Sequence, residues 1–368
     1  KINRIKKNGS VFFSIVFQME FSEEDDYEDI FNESDFFNYS YSDYPTVCDK
    51  EEVRTFGKVF LPIIYALALI IGLAGNSLVV AIYIYYKKLK TMTDVYIFNL
   101  AIADLLLLFT LPFWAADAVH GWKLGETMCK ITSMLYVMNF SCGMFFLACI
   151  SVDRYLAIKT GRIKTNHCLF ICFLVWATSF ILGIPELIFS TVKMPQSRKI
   201  CISVYPSSMA RPAKATLEIL EVLLSFVIPF LIMLFCYSKV SQALWKTANV
   251  KKWKAFKVLM VVVGVFIVTQ LPFNIIKFCR AMDIIYILIT QCEDSKRLDM
   301  ATQITESMAL LHSCVNPIIY AFVGASFKHH IARMFKSFSY RQRRRKEPEN
   351  EISLNSETGS QITSSFTI

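Results

Sequence analysis

Residues Val59–Tyr86 read VFLPIIYALALIIGLAGNSLVVAIYIYY and lie between Lys58 and Lys87 without a charge. A bilayer core about 30 Å thick is crossed by roughly 17 to 25 apolar residues in a helix. This run is long enough, and six others share its character. Val95–Ala116 is interrupted only by Asp104, and Ile131–Val152 lies uncharged between Lys130 and Asp153. Cys168–Phe189 carries one acid, Glu186, near its end. Val222–Ser238 is shorter but extends back to Leu217 past Glu221. Val258–Ile276 runs between Lys257 and Lys277, and Met300–Val323 contains only Glu306. None alternates over about ten residues as a transmembrane strand would. Lipid cannot satisfy free backbone groups, so only helices or closed barrels span it. The expected fold is an all-α membrane protein: a seven-transmembrane helix bundle over 58–323.

Composition agrees. Of 368 residues, 54% are hydrophobic and 19% charged, against about 25% charged in an ordinary soluble domain. Phe occurs 31 times, Gly 12 and Pro 11, which excludes disordered, collagen-like and small disulfide-scaffold chains. No paired CxxC, His-rich run, Gly-rich phosphate loop or hydrolase elbow occurs. No metal, cofactor, catalytic residue or nucleic-acid partner is therefore expected, and no enzyme activity.

Basic residues mark the cytoplasmic side of short loops. With the N-terminus outside, Lys87–Thr93, Lys159–His167, Lys239–Lys257 and the tail after Val323 together hold 20 Lys and Arg. Fewer fall on the other side, where Thr191–Ala215 alone holds five. The expectation is an extracellular N-terminus in a multi-pass protein.

That outer segment, residues 19–57, is acidic where the chain as a whole is basic at +9. Met19–Val47 holds ten Asp and Glu and no Lys or Arg, with Tyr27, Tyr39, Tyr41 and Tyr44 among them. Such a stretch attracts a basic partner by long-range steering, and acids beside tyrosine are what tyrosine sulfation needs. Asn32-Glu-Ser34 and Asn38-Tyr-Ser40 are glycosylation acceptors. Asn139-Phe-Ser141 fits the same pattern but lies inside a span. Residues 1–18 begin without an initiator and place Lys and Arg before Val11–Phe17, with no small-residue cleavage site after it. They are read as an upstream-translated segment.

Seven of the eleven Cys fall in or at the ends of spans. Cys48, Cys129, Cys201 and Cys292 all fall outside, where four thiols imply two disulfides with three possible connectivities. Asp104 sits near the middle of the second span, where a charge costs roughly 2.5–3.5 kcal/mol and demands polar partners. Asn76, Asn316 and His312 are the candidates. Glu306 lies ten residues before Asn316, about 15 Å nearer the outside. With Tyr65, Trp114 and Tyr136 near the helix tops, it suggests an aromatic pocket with one anionic group. Pro112, Pro185, Pro229, Pro272 and Pro317 each remove a backbone donor and permit a bend.

Gly75-Asn76, Leu100-Ala-Ile-Ala-Asp104, Asp153-Arg154-Tyr155, Trp176, Pro229 with Tyr237, Pro272 and Asn316-Pro317-Ile-Ile-Tyr320 fall one set per span. In that order they resemble the rhodopsin-class G-protein-coupled receptors from Val59 to about Phe335. Thr110-Leu-Pro112, Asp153-Arg-Tyr-Leu-Ala-Ile158, Trp122, the four outer Cys and Glu306 narrow the resemblance to chemokine receptors. Thr93–Leu100, Leu105–Trp114, Ala118–Trp122, Val268–Asn274 and Lys277–Tyr286 resemble the atypical branch, which scavenges homeostatic CC chemokines through arrestin. The resemblance implies disulfides Cys129–Cys201 and Cys48–Cys292. It implies that the acidic, Tyr-rich segment grips a chemokine body, whose flexible N-terminus enters the pocket at Tyr65, Trp114, Tyr136 and Glu306. It implies a plasma-membrane receptor cycling through early and recycling endosomes, with Asn76, Asp104, Asp153, Arg154, Tyr155, Tyr237, Asn316, Pro317 and Tyr320 as switch residues. The alternative is a conventional G-protein-coupled CC chemokine receptor driving calcium signalling and chemotaxis. Three departures stand out: Thr269-Gln270-Leu-Pro272 where the superfamily has Cys-Trp-x-Pro, Gly143 where many members have Ser, and Gly161 where signalling members have Ala.

Over 324–338, Phe327, Ile331, Met334, Phe335 and Phe338 recur at helical spacing between basic residues, as in a helix lying on membrane lipid. The 339–368 tail is basic at Arg341–Lys346. It then carries Ser353, Ser356, Thr358, Ser360, Thr363, Ser364, Ser365 and Thr367. Phosphate on these would offer arrestin an anionic strand. A transporter would show repeated halves with matched interruptions, and no internal repeat occurs.

Overall fold

The computed structural model describes residues 48–87, 89, 91–160, 167–194, 198–245 and 250–323. Tyr27, Tyr39, Tyr41 and Tyr44, Asn32 and Asn38, the expected helix at 324–338 and the candidate phosphorylation sites lie outside the described residues. Among those described, seven spans form one helical bundle. The first is α1 (Glu51–Ile82), continued by a π-helical turn at Tyr83–Lys87. The second is α2 (Met92–Leu108) with α3 (Leu111–His120), and the third is α4 (Gly125–Thr160). The fourth is α5 (Cys168–Phe189). After it, β1 (Ser190–Lys193) and β2 (Ile200–Ser203) form an antiparallel hairpin with Val192 opposite Cys201. The fifth joins α6 (Ala210–Glu221), a π-helical stretch at Val222–Val227 and α7 (Ile228–Trp245). The sixth is α8 (Val250–Tyr286), and the seventh is α9 (Cys292–Leu310) with α10 (His312–Val323).

Six spans are long and apolar enough to cross a membrane as single stretches. The seventh is divided at Leu311, and its first half carries Glu293, Asp294, Lys296, Arg297 and Asp299. At the division the chain tightens to i→i−3 bonding, with Leu311 N donating to Met308 O and Cys314 N to Leu311 O. Prolines act where their missing donor can be absorbed. Pro112 sits in the first turn of α3, whose N–H groups are free anyway. Pro229 would strike the carbonyl of Ser225 in a regular α-helix, and the π-helical stretch immediately before it opens that turn. Thr91 and Asp94 close a reciprocal capping box at the start of α2.

The third span is the axis of the bundle, packed by α2, α5 and α7. Tyr96, Leu100, Phe146, Leu147, Met233 and Phe266 interlock around it. A second cluster of Tyr65, Leu107, Leu108, Leu111, Phe140 and Leu310 lies toward the disulfide-bearing end. The outward faces are apolar too, as at Leu169, Phe173 and Ile181, because lipid rather than water surrounds them. Burial from water therefore adds little between helices, and close approach matters more. Small residues permit it: a Cβ on Gly75 would lie 2.7 Å from Pro317 Cβ, and one on Gly72 would lie 2.8 Å from a Leu108 methyl.

Gly75→Ala should therefore overpack the α1–α10 contact and cost about 1–3 kcal/mol. The measurement is the thermal unfolding midpoint in detergent, expected to fall, while Gly264→Ala, which meets nothing within 4 Å, stays near the parent. Equal midpoints would refute the close contact.

Candidate ligand pocket and polar core

Two disulfides fix the upper rim. Cys129, in the first turns of α4, is joined to Cys201 on β2, which draws the hairpin across the bundle. Cys48 is joined to Cys292, tying the start of the first span to the start of the seventh. Beside that bond, Lys50 Nζ donates to Asp299 Oδ2 at 2.6 Å and to Ser295 Oγ at 2.8 Å. Arg198 donates to the backbone carbonyls of Asp117 and Ala118, clamping the hairpin loop to α3. Trp122 is fully buried, donates to Gly125 O at 2.7 Å and tilts against Trp114 with ring centres 5.4 Å apart.

Beneath this rim, α1, α3, α4 and α9 bring Tyr65, Trp114, Tyr136 and Glu306 into one region. Tyr65 is buried at 8% exposure; Trp114, Tyr136 and Glu306 are half-buried. Glu306 acts electrostatically on both tyrosines. The aromatic floor continues from Tyr136 to Phe140 (4.8 Å between ring centres) and from Phe140 to Phe273 (5.8 Å). Tyr136 OH addresses the Glu306 carboxylate, whereas Trp114 Nε1, Gln303 Oε1, Ser307 Oγ and Asp117 Oδ1 are buried without a hydrogen-bond partner among the described residues. Folded proteins rarely leave such atoms unpaired, so these four, on the elements that carry Glu306 and its aromatic neighbours, mark a surface prepared for a polar ligand.

Several of these residues carried no signal in the sequence reading. Gln303 precedes Glu306 by three positions, one helical turn, and could have been found by that spacing. Asp117 and the acids across the pocket could not. There Glu221 pairs with Lys277 at 2.6 Å, and Glu186 accepts from Ser190 at 2.8 Å and Ser203 at 2.6 Å. Burial, then the carboxylates of Glu186, Glu218 and Glu221, push the Tyr205 phenol upward in the adjoining loop, so it remains a neutral donor.

Deeper in the bundle, Asp104 is fully buried. Asn316 Nδ2 donates to it at 3.3 Å, Asn139 Nδ2 at 3.4 Å, and His312 Nε2 lies at 3.5 Å. Asn139, which the sequence reading met only as a glycosylation pattern, is thus a member of this core. Asn76 is not. It donates instead to the carbonyls of Gly72 and Ser313, because it faces the seventh helix across the small Gly72–Gly75 surface. Gly143 is required here: a Cβ would stand 3.0 Å from Phe266 and 3.8 Å from His312 Nε2. Gln270, in place of the superfamily tryptophan, donates to Ala309 O and meets His312 Nδ1, both at 3.1 Å.

At the opposite end Asp153 accepts from Thr93 Oγ1 at 2.9 Å, and Arg154 donates to the same hydroxyl. Tyr237 and Ser151 share a hydrogen bond of 2.7 Å, and Tyr155 packs edge-on to Phe235. Pro317 and Tyr320 lie on α10.

Seven helices, this rim and this polar core coincide with a known family. Residues 75–320 match "7 transmembrane receptor (rhodopsin family)". The chain is 54% identical to atypical chemokine receptor 4 of Bos taurus and of Homo sapiens, over 90% of its length and 94% of theirs. It is 39% identical to human C-C chemokine receptor type 9, over 85% of this chain and 87% of the relative. It is also 39% identical to human C-C chemokine receptor type 7, over 80% of each. The chain belongs to the rhodopsin family and, within it, to the chemokine receptors. The 15-point margin in identity sets this chemokine receptor in the atypical branch rather than with the conventional types. The family is not one of enzymes. Its members take chemokine ligands outside and G proteins or arrestins inside.

For this receptor Tyr136→Phe removes the hydroxyl that addresses Glu306, so the unliganded midpoint should fall slightly while chemokine affinity falls by about 3- to 10-fold. Glu306→Gln removes the charge and should cost about 10- to 100-fold. Radioligand competition on matched surface expression reads both. Unchanged affinity in the two variants would remove this pocket from ligand binding.

Proposed function

We propose that the receptor binds basic, homeostatic CC chemokines at the plasma membrane and internalises them through arrestin, so that it shapes chemokine gradients rather than relaying them. The N-terminus is outside. Tyr27, Tyr39, Tyr41 and Tyr44, set among acids and beside the glycosylation acceptors Asn32 and Asn38, hold the body of the chemokine by charge. The chemokine's flexible N-terminus descends past the hairpin to Tyr65, Trp114 and Tyr136, and its cationic end meets Glu306.

The observation that carries this reading is the set of unpaired polar atoms at the outer ends of the spans that carry Glu306 and its aromatic neighbours. A cation seated there would pair with the Glu306 carboxylate, and charge-assisted bonds are the stronger kind. After binding, phosphate on Ser353, Ser356, Thr358, Ser360, Thr363, Ser364, Ser365 and Thr367 recruits arrestin, while 324–338 lies on the inner membrane surface. The complex then passes to early and recycling endosomes.

A second reading, conventional G-protein signalling, is favoured by one feature. Asp153, Arg154 and Tyr155 are intact, and Arg154 is 37% exposed at the side chain. One experiment separates the two. Cells expressing the chain receive labelled homeostatic CC chemokines, with uptake, arrestin recruitment and G-protein activation recorded together. Uptake with arrestin and without a G-protein signal is the expected result. A robust G-protein response would make this a conventional receptor.

A further inference from the structure

The loop that leaves the outer end of the sixth span is apolar where an aqueous loop would be polar. Residues 284–289 read Ile-Ile-Tyr-Ile-Leu-Ile, with no charge and no polar side-chain group other than the Tyr286 hydroxyl. α8 ends at Tyr286, and the next residue, Ile287, has φ +52°. Its N–H donates to Asp283 O at 2.8 Å, so it is the left-handed cap of the helix, a position that glycine or asparagine ordinarily fills. A β-branched residue is strained there. The Asp283 carboxylate secures the turn by accepting from Ile289 N at 2.7 Å. Tyr286, Ile287 and Leu288 are left standing out, exposed at 67%, 57% and 65%. Three adjacent large apolar side chains on a strained cap do not suit bulk water, so the group belongs against an apolar medium.

Two observations identify that medium. The exposed apolar residues of α8 recur at Val268, Leu271, Ile275, Phe278 and Ile285, the helical spacing of one face, and this is the face the span turns to lipid. The other face carries Gln270, Lys277 and Arg280, which bond to Ala309, Glu221 and Thr302 inside the bundle. The exposed loop begins where the lipid stripe ends, so the contact with lipid runs into it without interruption. Height agrees. Ile287 lies 30 residues beyond Lys257, the last basic residue before the apolar run. In a helix that is about 45 Å of rise, and a bilayer with its headgroups is about 40–45 Å thick. The loop therefore stands level with the outer headgroups, where the amphipathic ring of a tyrosine is favoured.

We propose that residues 285–288 form a membrane lip, which inserts among the outer-leaflet headgroups and pins the outer end of the sixth span to the bilayer surface. Its partner is a lipid surface met by apolar contact, since the lip carries no charge. A helix pinned at its end is fixed in rotation, and rotation keeps Lys277 turned to Glu221 and Arg280 to Thr302.

The test uses the full chain in phosphatidylcholine nanodiscs, with the exposed free cysteine removed by Cys279→Ser and an NBD fluorophore attached at Leu288→Cys. A second sample carries the label at Glu293→Cys, a position 67% exposed at the side chain, as the aqueous reference. At 288, quenching by a lipid spin-labelled near its headgroup should exceed quenching by dissolved iodide by about 3-fold or more, and at 293 the order should reverse. Ile287→Asn, which a left-handed cap accepts, removes an apolar side chain and should lower the lipid quenching at 288 by about 2-fold. Ile285→Cys carries the label in the same way should Leu288→Cys not fold. Iodide quenching at 288 equal to that at 293 would overturn the lip. So would shielding of 288 from iodide that appears only when chemokine is added, which would make the loop a ligand contact. Lipid quenching that needs phosphatidylglycerol in place of phosphatidylcholine would overturn the apolar contact.

Discussion

A carboxylate at full burial in the middle of a membrane protein dictates its surroundings. Asp104 can remain there only if other helices bring it donors, and two helices bring three. Asn139 comes from the third span, and His312 and Asn316 come from the seventh. Each contact fixes a helix in rotation and in height, because a shift of one residue would carry its side chain about 100° around the axis. The small residues at Gly72, Gly75 and Gly143 follow from the same demand, since they let α1, α8 and α10 come close enough for the polar groups to reach. Breaking such a set by removing one partner typically costs several kcal/mol, as the remaining charge is left in low dielectric.

The outer half is built on the opposite principle. Its disulfides and the Lys50–Asp299 pair hold the rim by covalent and ionic bonds. The region they enclose keeps four polar atoms unpaired among the described residues. Rigidity at the rim lets those atoms stay apart from one another instead of collapsing into mutual hydrogen bonds. The ordering cost is met during folding, so that a ligand meets a surface already arranged.

How much of this could be read in advance depended on the range of the signal. The seven spans are local, each an apolar run of bilayer length, and they were legible down to the single acids Asp104 and Glu306 that interrupt them. Helix ends were less so: α1 begins at Glu51, eight residues before its apolar run, because Lys50 is anchored to Asp299 and Cys48 to Cys292. Partnerships between spans have no local signal. Asn76 and Asn139 are both amides in apolar helices, and only the rotation of each helix decides that Asn139 faces Asp104 while Asn76 faces Ser313. The Glu221–Lys277 pair joins residues 56 positions apart and was invisible for the same reason.

The break at Leu311 and the residue at position 270 explain each other. Glu306 lies on one side of the break and His312 on the other, so any motion of α9 caused at Glu306 must cross that break before it reaches Asp104. Gln270 reaches both sides of it, its amide nitrogen donating to Ala309 O and lying beside His312 Nδ1, which itself meets Ala309 O. An indole has one N–H and could make only one of these contacts, whereas a carboxamide nitrogen has two. At 2% exposure, without competing water, the bond to Ala309 O carries more than it would at a surface. The substitution therefore ties the ligand-facing half of the seventh span to the polar core through the sixth.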